Sequence, residues 1–232
     1  MTVKSALQSA AVRLVGTKPT AFFSSTDKLS VELADLVNEV SQDIVKAHEW
    51  RALATLATVS GDDATELHDF PSDYDRMLTK GEVWSTSWAG LPFSRAKDLD
   101  EWYDIKSFSS SGAPGWWIIL QGKMNIYPVL ATGVDAEFYY ISNKFAQDTN
   151  SLPIAVFSAD TDTFKLPERL LTLGVIWRWR AQKRLEYAED IRNYELALAK
   201  YITDDKGSNI IAVGTRSPRG NVGAAWPESI TA

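Results

Sequence analysis

The chain has 232 residues, a formal net charge of −6, 45% apolar residues and no cysteine. This is enough chain and enough apolar matter for one large domain with its own core, and the lack of cysteine removes disulfides, thiolate metal sites and cysteine nucleophiles. The acidic balance argues against a surface-wide nucleic-acid clamp, and no run approaches the roughly 20 apolar residues of a membrane-spanning helix.

Residues 1–14 carry Lys4 and Arg13 without a continuous apolar run. They do not read as a signal peptide, and no element is predicted there. Leu29, Leu33, Leu36, Val37, Val40 and Ile44 recur at three- and four-residue spacing, which predicts a helix over 29–50 with Ser30 as N-cap and Glu32 in its first turn. Residues 55–59 and 65–70 flank Gly61-Asp62-Asp63 and read as a hairpin stopped by Pro71. The spacing of Leu53, Leu56 and Val59 also permits a helical continuation. A short helix is predicted over 97–106, then a Ser/Gly/Pro loop over 107–115. Residues 116–120, 124–127 and 136–141 read as three strands of an antiparallel meander. Residues 143–164 read as connection. Pro167 is placed at the N1 position of a helix reaching about Arg180, and a second helix is predicted from Arg184 to Thr203. The stripe Tyr187, Ile191, Tyr194, Leu198 and Tyr201 marks its apolar face, and Trp177, Tyr187, Ile191, Tyr194 and Leu198 are expected to be buried. Gly207 is placed just past its end. The segment 208–232 has no amphipathic period, contains Pro218 and Pro227, and carries spaced apolar residues. It reads as an extended arm that orders on a partner.

The fold class is therefore α+β. Residues 1–207 form one domain, with helices 29–50 and 167–203 making a helical bundle layer and an antiparallel β-sheet region over 52–142 inserted between them. Residues 208–232 form the C-terminal arm.

Little in the chain promises chemistry. His48 and His68 are the two histidines, and neither has a neighbouring nucleophile or cysteine in sequence. No phosphate-cradling or nucleophile-elbow pattern occurs. Asp160-Thr161-Asp162-Thr163 resembles the start of a calcium loop but has Lys165 where glycine is needed, so a capped turn is expected. Asp98, Asp100 and Glu101 fit first-turn charges of a helix better than a pair of catalytic carboxylates. The expectation is no cofactor, no metal and no catalysis. Trp116-Trp117 should point to opposite faces of a strand, one into the core and one toward a neighbouring subunit or, alternatively, a sugar. On a helix Trp177 and Trp179 point about 200° apart. They cannot form one stacking platform for a base, so Trp177 is assigned to the core and Trp179 to a partner, with Arg178 and Arg180 pairing with acids.

Taken in order, several segments resemble the head–tail adaptor (connector) proteins of tailed bacteriophages, over roughly residues 29–203. These are a long helix ending in His48-Glu49-Trp50-Arg51, then Phe70-Pro71-Ser72-Asp73-Tyr74-Asp75-Arg76, and Met124-Asn125-Ile126-Tyr127-Pro128. Glu137-Phe138-Tyr139-Tyr140 and a helical region rich in Glu, Arg and Tyr follow. Phe70 stands where the family often has Leu, and the Trp-rich stretch 84–115 departs from its pattern. The resemblance implies a homo-oligomeric ring, dodecameric, in the virion neck and assembled in the host cytoplasm. The ring would sit between the portal protein and tail or stopper proteins and extend the DNA channel without binding DNA specifically. It implies that the arm docks into the portal through Ile210, Ile211, Arg216, Arg219, Val222 and Trp226. The subunit interface is expected at Arg178, Trp179, Arg180 and Tyr201. The alternatives are a tail-completion or stopper protein, or a carbohydrate-binding module using Trp116 or Trp117.

Overall fold

The computed structural model describes residues 2–88, 90–107 and 114–206. The first helix, α1 (Val3–Val15), is one the sequence reading lacked. Val3, Ala6, Leu7, Ala10 and Ala11 form a fully buried face. Much of that face is alanine, so the apolar stripe is narrow and easily overlooked, but alanine is the best helix former. Helix α2 (Lys28–Ala47) buries Leu33, Leu36, Val37, Val40 and Ile44 as the periodicity requires. Its N-cap is Asp27 rather than Ser30: the Asp27 carboxylate accepts the Ser30 N–H at 3.2 Å, and Ser30 itself is buried. It ends three residues before Trp50, whose buried indole folds back and donates to the Ile44 carbonyl at 2.7 Å.

After a single 3-10 turn, Arg51–Leu53, the chain enters the sheet. Its strands are β1 (Ala54–Ser60), β2 (Leu67–Asp69), β3 (Tyr74–Met77), β4 (Val83–Ser85), β5 (Pro92–Arg95), β6 (Trp116–Leu120), β7 (Lys123–Tyr127) and β8 (Asp135–Ser142). The order is β1-β8-β4-β5-β6-β7-β2, with β3 also on β8; only β5 and β6 run parallel. Two sequence expectations fail here. β1 and β2 are not a hairpin, because β1 pairs along its whole length with β8 and β2 pairs with β7. The intervening loop is held open by Asp62, which accepts the Ala64 and Thr65 N–H groups, and by close backbone packing of Gly61 on Ala131 and Val134. Nor do the last three strands form a meander: β6 and β7 are a hairpin as expected, but β8 crosses over to lie between β1 and β4. Burial decides this, since Ala136, Phe138 and Tyr140 enter the same cluster as Ala57, Val59 and Val83.

Helix α3 (Leu99–Ser107) covers the outer side of β6 and β7 with Trp102 and Ile105. Asp98 and Glu101 also cap the helix: Asp98 accepts the Glu101 N–H, and Glu101 accepts the Lys97 N–H. The segment read as mere connection contains β9 (Ala146–Gln147), β10 (Pro153–Ile154) and β11 (Thr163–Phe164), a small three-stranded sheet. Phe145, Phe157 and Phe164 from this region cluster in the helical core with centroids 5.5–6.0 Å apart. Helices α4 (Glu168–Gln182) and α5 (Ala188–Lys206) follow, with Pro167 as N-cap rather than N1. They are separated by a turn in which Arg184 has φ 56°.

The core of the helical layer is α1, α2 and α4 packed on one another, while α5 lies outside against α4. Among the α5 stripe only Tyr194 is buried; Ile191, Leu198 and Tyr201 are half-buried and Tyr187 is exposed. Trp177 is half-buried too, so the expectation of a fully buried stripe is corrected. Alpha-helical periodicity reports which face is apolar, not how many neighbours that face finds. Gly174 marks the closest approach of α4 to α2: a Cβ there would collide with a methyl of Val40. Val40 is buried and β-branched, so its rotamer cannot easily yield. Gly174→Ala is expected to cost about 1–3 kcal/mol by overpacking despite the better helix propensity of alanine. The added substitution Val40→Ala should recover part of that loss in a urea titration of the double variant.

Candidate interaction surfaces and the joint between the layers

All but one of the sequence segments singled out by resemblance meet where the helical layer joins the sheet; the segment 124–128 lies instead on and after β7, between β6 and β2. Asp73 accepts the Tyr140 hydroxyl and the Ser142 hydroxyl, each at 2.7 Å, and its carbonyl accepts the Asn143 N–H at 2.8 Å. Burial alone would raise the Asp73 carboxyl, but the Ser142 and Tyr140 hydroxyls outweigh it and hold it below its ordinary value. Burial, reinforced by Asp73, pushes the Tyr140 phenol up to about 12. Arg76 then reaches across to α2 and donates to the carbonyls of Val45 and His48 at 3.0 and 2.9 Å. It thereby satisfies two of the carbonyls left free at a helix C-terminus. Glu49 accepts the Thr79 N–H at 2.6 Å. The Phe70–Arg76 turn and the His48–Arg51 turn are thus two halves of one joint.

The end of α5 is fastened to the same joint. Asp205 lies 3.2 Å from His48 Nε2 and accepts the Arg51 N–H at 3.2 Å, and Arg51 donates to the Lys206 carbonyl at 3.1 Å. The chain therefore leaves the described structure beside the entrance to β1. His48 has a structural partner. His68 lies on β2, and burial holds its imidazole below its ordinary value. Asp160 and Asp162 spend their carboxylates on backbone N–H groups: Phe22 and Phe23 for the first, Ser158 and Ala159 for the second. Among the described residues no group of acids, histidines and cysteines is arranged to hold a metal ion.

The residues expected at a subunit interface are engaged within the chain. Arg178 forms ion pairs with Glu39 and Asp43 of α2 and stacks on Trp177. Arg180 pairs with Asp190 of α5 at 2.6 Å. The Trp179 indole donates to Glu32 at 3.2 Å, and Lys183 joins Glu32 at 2.7 Å while lying over the Trp179 ring. Tyr201 packs half-buried against the helical core. Ile210, Ile211, Arg216, Arg219, Val222 and Trp226 lie outside the described residues, as does Gly207. Trp117 is in the sheet core with Arg95 over its ring, whereas Trp116 packs under α3. Trp116 is half-buried, and the cover it has comes from α3 of its own chain. The large apolar side chains that face solvent include Leu56, Trp84 and Tyr139 on the outer face of the sheet, and Trp88 and Leu91 at the β4–β5 tip. No sequence pattern distinguished these from core positions, because a strand's two faces look alike until it is known what covers each.

The described residues thus define an α+β protein in which Glu49, Asp73, Arg76 and Asp205 join the helical layer to the sheet, and none of the described helices is long and apolar enough to cross a membrane. The sequence matches the SU10 adaptor protein family over residues 1–219, and the chain belongs to that family, a phage head–tail adaptor family. It is a phage structural adaptor, a virion component that works with other virion proteins. Structural families of this kind are normally non-enzymatic. No curated protein matches the sequence.

Proposed function

We propose that this chain forms a homo-oligomeric ring, dodecameric, between the portal and the tail or stopper proteins in the phage neck, lengthening the channel through which DNA passes without specific binding. The family match over nearly the whole chain carries this reading. The helical layer builds the ring, the inserted β region 52–142 faces outward or tailward, and the arm 208–232 docks on the portal. The lateral contact lies on the part-exposed surface of α4 and α5 that holds Arg178, Trp179, Arg180 and Tyr201. In-chain partners hold these side chains in one conformation, which lowers the entropy a neighbour must freeze on binding. Net negative charge supports sliding rather than capture of DNA. In the arm, Ile210, Ile211, Arg216, Arg219, Val222 and Trp226 contact the portal. Trp226 is the strongest anchor, since a buried interface tryptophan can contribute about 2 kcal/mol or more.

The test mixes purified chain with its portal and follows assembly by light scattering and electron microscopy. Rings seated on the portal are expected from the intact chain. A chain lacking residues 208–232 should fold with the same circular dichroism and fail to attach. Attachment of the truncated chain with unchanged affinity would remove the arm from the mechanism, and absence of any complex with the intact chain would remove the ring reading itself.

A further inference from the structure

Three lysines converge where two helices end. Lys46 stands in the last turn of α2 and Lys206 in the last turn of α5, places where the helix dipole favours a positive charge. The fold brings those two ends together, with Asp205 on the Arg51 N–H and 3.2 Å from His48 Nε2. Lys80 joins them from the turn after β3, which the Gly81 N–H closes on the Leu78 carbonyl at 2.9 Å. The three lysines line one cavity of about 570 Å³, with Arg51, Arg76, Glu49 and Asp205 in its walls. That is five cations against two carboxylates, in a chain whose net charge is −6.

We propose that this cavity is the docking site of an acidic segment of another virion protein, whose carboxylates seat on Lys46, Lys80 and Lys206. The groups around the lysines are already committed. Arg76 pairs with Asp75 and donates to the Val45 and His48 carbonyls, and Arg51 donates to the Lys206 carbonyl. These guanidinium groups cover carbonyl oxygens that would otherwise repel an anion at a helix C-terminus. Glu49 is held by the Thr79 N–H and hydroxyl, and Asp205 by the Arg51 N–H. Lys46, Lys80 and Lys206 are exposed, and among the described residues none of them forms an ion pair. The complementary charge has to come from another chain. Outside the described residues the sequence holds one acid, Glu228, against Arg216 and Arg219. A cavity of this size admits a peptide loop but not the width of a DNA duplex. Glu49 and Asp205 in its walls also disfavour a continuous row of phosphates, whereas separate carboxylates can be placed between them. Only the partner's identity as a virion protein rests on the adaptor reading.

The experiment is fluorescence anisotropy of a fluorescein-labelled oligoglutamate peptide titrated with the intact chain at low ionic strength, without portal, so that its outcome is independent of ring formation. Binding is expected, and Lys46→Gln combined with Lys80→Gln should weaken it about fivefold, the effect of losing two exposed ion pairs. Lys18→Gln combined with Lys28→Gln removes the same charge from exposed positions elsewhere and should leave the affinity unchanged. Added salt should weaken binding to the intact chain more steeply than binding to the Lys46→Gln, Lys80→Gln chain. No binding, or equal affinity in the intact and Lys46→Gln, Lys80→Gln chains, overturns the proposal. So does binding that appears only when residues 208–232 are removed, which places the chain's own arm in the cavity. Tighter binding of a duplex DNA of equal charge through the same lysines overturns it too, and makes the surface a nucleic-acid contact.

Discussion

Leu7→Ala should destabilise the protein by about 3–5 kcal/mol, the range for a large-to-small change at a site that cannot collapse. Leu7 is fully buried, on the face of α1 that packs against α4 and α2. Helix α1 is tied at its start by the Val3 N–H to the Asp162 carbonyl at 2.7 Å, and along its side by the Thr172 hydroxyl donating to the Ala6 carbonyl at 3.4 Å. A helix fixed at both places has little freedom to slide into the cavity. A urea titration with an unchanged slope and a lowered midpoint is the expected readout. A loss below about 0.5 kcal/mol, the value for exposed sites, would mean that α1 is not part of the core.

Asp73→Ala should cost about 2–4 kcal/mol for a different reason. It removes the acceptor for two hydroxyl protons, those of Tyr140 and Ser142, in positions only 3% and 4% exposed. Buried hydroxyls left unpaired cost about 1–3 kcal/mol each. Tyr140→Phe removes one of those hydroxyls together with its need for a partner, so it should cost less than Asp73→Ala, and combining the two should recover part of the loss. The pH dependence has a defined sign. Asp73 sits below its ordinary value of 3.8 in the folded chain, so its contribution is complete above that value and is lost as pH falls through the lower, folded pKa. Tyr140, raised from 10.0 to about 12, contributes fully below pH 10 and loses its contribution as pH rises through that interval. In Asp73→Ala the acid limb of the stability profile should flatten. An acid limb identical to that of the unsubstituted chain would show that the carboxylate is not what holds the joint.

The joint also explains why the segments that carry the family resemblance are spaced as they are. Asp73 and Arg76 are three residues apart at a bulge of β3, which lets one face β8 and the other reach α2. Phe70 stacks on Tyr74 with centroids 3.9 Å apart and meets Phe138 edge-on at 6.0 Å, so an aromatic ring serves at the place where the family often has leucine. The Trp-rich stretch divides between burial and exposure. Trp102 belongs to a core, while Trp84 faces solvent on the sheet and Trp88 at the β4–β5 tip.

From the sequence alone came the helices with a wide apolar stripe, the β6–β7 hairpin around Gln121-Gly122, the α+β class and the adaptor family. Each of these rests on local information: a period of 3.6, a tight turn with Gly122 at φ 73°, or an ordered string of motifs. What no local pattern contained was the pairing of β1 with β8 across some eighty residues, because strands carry alternation but not the identity of their partner. Helix α1 was hidden for a related reason, since its alanine face becomes apolar surface worth burying only once α4 lies close against it. The tertiary structure also decided which aromatic residues are core and which are surface. Burial is a property of what lands on a side chain, and Trp116 was settled by the arrival of α3, a helix that enters between β5 and β6 in the chain and folds back over the strand that follows it.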